Sequence, residues 1–301
     1  MNLFVAPGLA PGVSADAPED VKYLKLKSFA DWPDAEPPAR EWLVEGLIPM
    51  GTVTFISGDG GLGKTLLGQQ LVMAAALGAN WCGRKVVQTP SVALFCEDRE
   101  EEIRRRADRI YATLNVARSD PRLNAVHYEC RVGENNQLMY SSWRGDQHSG
   151  YRPTDLCREL RASATARAAR LLLIDSLHDV FAGNENFRPE ARAFVQILAN
   201  TANRLKGAVV VLAHPSLSGL ERGSGTSGST AWNNAVRSRL YLTVPEGMSP
   251  ESDVRLLTTV KANYGRAGEK IYLKRRGGVF VVVSRDEAKG VGQRVKRVRQ
   301  A

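Results

Sequence analysis

Four short apolar runs punctuate the first two thirds of the chain. They are Thr52 to Ser57 (TVTFIS), Ser91 to Cys96 (SVALFC), Leu171 to Asp175 (LLLID) and Ala208 to Ala213 (AVVVLA). Each is apolar almost without interruption and rich in β-branched or aliphatic residues, the pattern of a strand buried on both faces. Between them lie stretches with helical character. Leu66 to Leu77 (LLGQQLVMAAAL) is dense in helix formers, a charged segment carries Arg104, Arg105, Arg106 and Arg109, and helices are expected at Thr154 to Ala168 and about Pro189 to Leu205. Strands alternating with helices predict an α/β fold, a mostly parallel twisted sheet with helices on both faces. The C-terminal third changes character. Arg239 to Val244, Val254 to Lys261, Lys270 to Arg275 and Val279 to Val283 read as successive strands, the last two joined across Arg276-Gly277-Gly278, so an antiparallel extension is expected.

The ends and one insert lack such periodicity. Residues 1–20, rich in Pro, Ala and Gly, predict a flexible arm; residues 21–284 a single α/β domain; and residues 285–301, with Arg294, Lys296, Arg297 and Arg299, a basic tail. The polar stretch 131–152 predicts a loop or hairpin insertion.

Composition narrows the setting. Four cysteines in 301 residues, without C-x-x-C spacing, predict reduced thiols in a cytoplasmic protein. No signal-peptide pattern or apolar run of membrane length is present, so no membrane partner is expected. The net charge of +9 favours an acidic polymer such as nucleic acid as partner.

The chemistry concentrates between the first strand and the first helix. Gly58-Asp59-Gly60-Gly61-Leu62-Gly63-Lys64-Thr65, followed by Leu66, fills every position of a G-x-x-x-x-G-K-[ST] phosphate loop. Its backbone N–H groups converge on phosphates at a helix N-terminus, Lys64 reaches the β- and γ-phosphates, and the Thr65 hydroxyl ligates Mg²⁺, so ATP and Mg²⁺ are the expected cofactors. Asp175, ending its apolar run, fits the Walker-B carboxylate that meets the metal shell, with Ser176 beside it. Glu97 is the candidate base for the attacking water, with Asp98 and Glu100 as competitors. His214 ends the fourth run, before Pro215 and a Gly/Ser-rich loop, Ser216 to Thr230, that contains Arg222; it is a candidate sensor of the γ-phosphate. Arg237, Arg239 and Lys261 are candidate cations for the transferring phosphoryl group, supplied from a neighbouring subunit.

This order of motifs, with the lead-in WLVEGLIPMGTVTFISGDGGLGKT and the segment Ala231 to Arg239, resembles the AAA_25 group of RecA-like ATPases and its RepA-type hexameric replicative helicases. The resemblance runs from about residue 40 to 283. It implies a RecA-like core, homo-oligomeric rings, hexamers among them, and ATP sites between subunits. In that arrangement Glu97 is the base, Asp175 the Walker-B acid, His214 the sensor, and Arg237 or Arg239 with Lys261 act across the interface. It further implies a motor on single-stranded DNA, a replicative helicase of a plasmid, phage or prophage, whose Gly/Ser loop grips the strand and which meets replication initiator or loader proteins. A regulatory or scaffold ATPase that switches assembly state, or a recombination or repair mediator, are the alternatives. In the segment Lys261 to Arg266, which is similar to the Lys-x-Arg-x-Gly region of DnaB-type helicases, Asn263 stands in the arginine's place.

Overall fold

The computed structural model describes residues 24–144, 147–214 and 230–290. The expected arm at 1–20, residues 216–229 of the Gly/Ser loop with Arg222, and the basic cluster of the tail lie outside them. The chain divides into two compact units, Met1–Ala39 and Arg40–Ala301. In the first, Phe29–Asp31 form one 3-10 turn capped by Ser28, whose hydroxyl accepts from the Ala30 N–H while Asp31 answers on the Ser28 N–H.

The second unit is built on one sheet of nine strands among the described residues. In chain order it runs β1 (Val53–Gly58), α1 (Lys64–Leu77), β2 (Ser91–Phe95), α2 (Glu100–Leu114), β3 (Val126–Cys130), α3 (Asp155–Ala166), β4 (Leu171–Asp175), α4 (Leu177–Val180), α5 (Arg188–Arg204) and β5 (Ala208–Ala213). There follow α6 (Thr230–Ala235), β6 (Ser238–Thr243), β7 (Val254–Ala262), β8 (Lys270–Arg276), β9 (Val279–Val283) and a short closing helix, Arg285–Ala288. The spatial order is β9-β8-β7-β6-β1-β5-β4-β2-β3. From β6 to β3 every pairing is parallel, and β7, β8 and β9 continue antiparallel.

The α/β class and antiparallel extension are as expected, with two adjustments. β6, grouped by sequence with the C-terminal strands, lies parallel to β1 and extends the core. β3 (VHYEC) closes the other edge; its half-exposed, partly polar residues carry no buried-strand signature. The insert after β3 folds as a hairpin, Met139–Arg144 paired with Gln147–Pro153.

Alternation along the strands divides the core into two layers. Ile56, Leu173, Val210 and Leu212 face α1 and α2, whereas Phe55, Leu172, Ile174, Val209 and Val211 face α3 and α5. Trp232 of α6 is 1% exposed and packs at ring distances of 4.9 Å from Phe181, 5.8 Å from Phe55 and 6.1 Å from Phe194. This aromatic cluster pins the entry to β6. No helix among the described residues is long and apolar enough to cross a membrane, and all four cysteines are free.

Candidate active site

The parallel register gathers the expected chemistry at one edge of the sheet. Ser57 pairs with Ala213, and Asp175 pairs with both Leu212 and Phe95. The C-terminal ends of β1, β5, β4 and β2 therefore stand side by side, and the residues that follow them converge, as open α/β sheets arrange their sites. Gly61, Gly63, Lys64, Thr65, Glu97, Asp175 and His214 come together in a cleft of about 390 Å³.

The phosphate loop enters α1 through Gly63, at φ +96°. A Cβ there would lie 2.9 Å from the Phe280 ring, so both backbone conformation and space demand glycine. Lys64 is 6% exposed; its ammonium donates to the Gly58 carbonyl at 2.8 Å and the Asp59 carbonyl at 2.9 Å, and lies 3.3 Å from His214 Nδ1. An ammonium only donates, so Nδ1 is the acceptor and the imidazole proton of a neutral ring sits on Nε2, 3.7 Å from Glu97 Oε1. Burial lowers the Lys64 pKa against the pull of Asp175, Glu97 and Asp59.

Two carboxylates here titrate in opposite directions. The contact with His214 draws Glu97 down to about 2, against its own partial burial; the Ser176 hydroxyl and the Lys64 charge add to the fall. Burial pushes Asp175 up to about 7; the negative charges of Glu97 and Asp98 reinforce it, while a hydrogen bond from Thr65 and the charge of Lys64 oppose it. Such divergence gives the two carboxylates different protonation behaviour near neutral pH. Asp98 is held by Arg106 at 2.5 Å, and Glu100 accepts from the exposed Tyr128 hydroxyl at 3.2 Å, so of the three acids Glu97 alone faces His214 and Ser176.

The Thr65 hydroxyl and the Asp175 carboxylate are adjacent hard oxygen donors, and no cluster of three or more His, Cys, Asp or Glu suited to a metal occurs among the described residues. That pair fits Mg²⁺, which completes its shell with water and phosphate oxygens. Sign matters for pH. A carboxyl raised from 3.8 to about 7 favours the folded chain below 3.8, and that contribution is lost as pH rises through 7. A cation held by Asp175 would have to displace the proton, so the Mg²⁺ concentration for half-maximal activity is expected to be higher at pH 6 than at pH 8. Mg²⁺ titrations at saturating ATP check this; a requirement independent of pH would show Asp175 to lie outside the metal shell.

Apart from Ser176, already placed beside Asp175, several contributors gave no sequence signal. Arg255, 6% exposed, donates from Nε to the Leu62 carbonyl at 3.3 Å and holds the phosphate loop from behind. Ser176 Oγ lies 2.7 Å from both Glu97 Oε1 and Asp179 Oδ2. The His178 ring lies 5.4 Å from that of His214, with its Nδ1 3.2 Å from Glu185, whose carboxylate raises the His178 pKa. Two consecutive glutamines of α1 reach the two walls of the cleft. Gln69 donates to the Ile103 carbonyl of α2 at 2.6 Å, and Gln70 bonds both the carbonyl and the N–H of Phe280 in β9, at 2.9 and 3.0 Å.

The three expected trans-acting cations do not join this cluster. Ser238 pairs with Thr54 and Leu242 with Gly58, so Arg237 precedes β6 at the opposite edge of the sheet, about 16 Å away along the strand at ~3.3 Å per residue. Lys261 pairs with Arg239 near that same edge. Arg237 is exposed and Lys261 half-buried, but Arg239 is 1% exposed with Nε 3.3 Å from Ser57 Oγ. Of the two arginines, Arg239 is thus buried within its own chain and Arg237 is exposed.

A family model, AAA_25 (AAA domain), matches residues 18–219. The chain belongs to the AAA_25 family. Among solved structures, this AAA_25 protein is similar to the KaiC-like protein PH0186 from the hyperthermophilic archaeon Pyrococcus horikoshii OT3, with a TM-score of 0.54 and 16% identity over 82% of this chain and 100% of the other. Nothing among curated proteins matches. Family and fold together make it a RecA-like P-loop ATPase.

Proposed function

We propose that the protein is an ATP- and Mg²⁺-dependent motor on single-stranded DNA, a replicative helicase whose subunits form a ring with each ATP site shared between neighbours. One observation carries the shared site: the exposed Arg237 and half-buried Lys261 lie at the edge of the sheet opposite residues 58–65, out of reach of their own chain's nucleotide. A second copy brings them to it, where positive charge stabilises the transferring phosphoryl group. Thr65 and Asp175 hold the metal, Glu97 takes the proton of the attacking water, and His214 reads the γ-phosphate. As Lys64 and His214 turn to the phosphates, the contacts that depress Glu97 weaken and its basicity rises. The net charge of +9 supports a polyanionic track.

ATP hydrolysis measured with and without single-stranded DNA at low and high salt tests the motor. Several-fold stimulation that fades with salt is expected. Nucleotide-dependent assembly without stimulation would replace the motor with an assembly switch, and open filaments on DNA with a recombination mediator.

The shared site has its own test. Lys64→Ala and Arg237→Ala chains, each inactive alone, are expected to regain hydrolysis when mixed, because an Arg237→Ala chain keeps its phosphate loop and borrows Arg237 from its neighbour. Mixtures as inactive as either variant alone would place the site within one chain.

A further inference from the structure

Helix α4 and its N-cap residue reach both Glu97 and His214. Leu177 and Val180 are buried and fix the four-residue helix to the sheet, while His178 and Asp179 stay on its polar side. Asp179 is used locally: its Oδ2 accepts from the Ser176 N–H at 3.3 Å and lies 2.7 Å from the Ser176 hydroxyl, which in turn reaches Glu97. His178 is set against the His214 ring, with 5.4 Å between centroids and 35° between planes.

His178 does not serve the core. Its side chain is 45% exposed, yet its Nδ1 is held 3.2 Å from Glu185 Oε1. That bond raises the His178 pKa against partial burial, and the charges of Glu185, Asp179 and Glu97 add to the rise. The segment that carries Glu185 is itself tied down. The Asn184 N–H donates to Glu190 Oε2 of α5 at 2.7 Å, and the Asn186 N–H to Asn184 Oδ1 at 2.9 Å. Gly183 leaves the space this needs, since a Cβ there would lie 2.5 Å from Glu190 Oε2 and 2.6 Å from the Phe181 ring. A half-exposed pair contributes little to folding, so its value lies in what the ring is set against. His214 gains from such a support: its Nδ1 faces Lys64 at 3.3 Å and its Nε2 faces Glu97 at 3.7 Å, and a half turn of the ring about Cβ–Cγ would lose both.

Resting on the reading of His214 as the γ-phosphate sensor, we propose that His178 is a positioning residue for hydrolysis: anchored by Glu185, its ring holds the His214 imidazole in the orientation that serves Lys64 and Glu97 together. His178 does not line the cleft. Its loss therefore falls on the rate of the bound complex and spares nucleotide binding.

The test reads kcat and KM for ATP in a set of variants, each assayed at a temperature where its thermal melt shows it folded. His178→Ala and Glu185→Ala are each expected to lower kcat about tenfold, the scale of a small misplacement of an acting group, and to change KM less than about twofold. Glu185→Gln keeps an acceptor for the His178 Nδ1 proton and is expected to stay within about twofold of the wild-type kcat. His214→Gln is expected to lower kcat about a hundredfold, the loss of hydrogen bonding to a charged group. Added to His214→Gln, His178→Ala should cost nothing further, because a residue that acts only through His214 has nothing left to orient. The full loss from His178→Ala on top of His214→Gln would make its part independent of the sensor. Unchanged kcat in both alanine variants, or Glu185→Gln as slow as Glu185→Ala, would also overturn the proposal. Failure at the two levels looks different: a slow His214→Gln beside a fast His178→Ala strikes the positioning role alone, whereas His214→Gln at the wild-type rate removes the sensor reading and the proposal with it.

Discussion

Lys64→Ala is expected to weaken nucleotide binding by on the order of a hundredfold and to bring hydrolysis to background. The ammonium is buried and is the one cation within residues 58–65, where it already satisfies the carbonyls of Gly58 and Asp59. Hydrogen bonds made by a charged group contribute about 1.5–3 kcal/mol each, so losing two to phosphate oxygens accounts for the expected factor. The fold should survive, because the loop keeps the Arg255 bond to Leu62 and the buried helix behind it. Equilibrium binding of a fluorescent ATP analogue, with circular dichroism as control, checks both points. Wild-type affinity in a folded variant would remove the phosphate loop from the mechanism.

Glu97→Gln is expected to lower kcat by about a hundred- to a thousandfold, within the range of general-base catalysis, while changing KM for ATP no more than about threefold. Glutamine keeps the shape and an acceptor for Ser176 but takes no proton. Even with its depression to about 2 relieved and Glu97 back at its ordinary 4.5, it is ionised throughout the neutral range, and the loss should not depend on pH between 6 and 9. By the same shift its pairing favours the folded chain above 4.5 and is lost as pH falls through about 2. Asp98→Asn is the control, since Asp98 is engaged by Arg106. Should the control lose the rate and Glu97→Gln keep it, the base must be reassigned to Asp98.

The parts legible in the sequence are those fixed by local pattern. A phosphate loop declares itself because all its groups are contiguous, and β1, β2, β4 and β5 do so because strands covered on both faces must be apolar throughout. Glu97, Asp175 and His214 followed from standing at the ends of such strands. What stayed hidden depends on distant pairings. β3 reads as polar because an edge strand meets solvent. Arg255 contacts Leu62 across 193 residues, and Arg109 and Arg275 line the same cleft only because the C-terminal hairpin folds over α1 beside α2. Arg239 illustrates the converse: its sequence setting matches that of Arg237 two residues earlier, and only the position of β6 inside the sheet shows it to be buried.

The neighbouring glutamines of α1 have a mechanical meaning. Each ties a different wall of the cleft to the helix that begins at Lys64, one through α2 and the other through β9. The slot thus has a gauge set by two adjacent side chains on a single rigid rod. A change in α1 therefore reaches both walls of the slot at once.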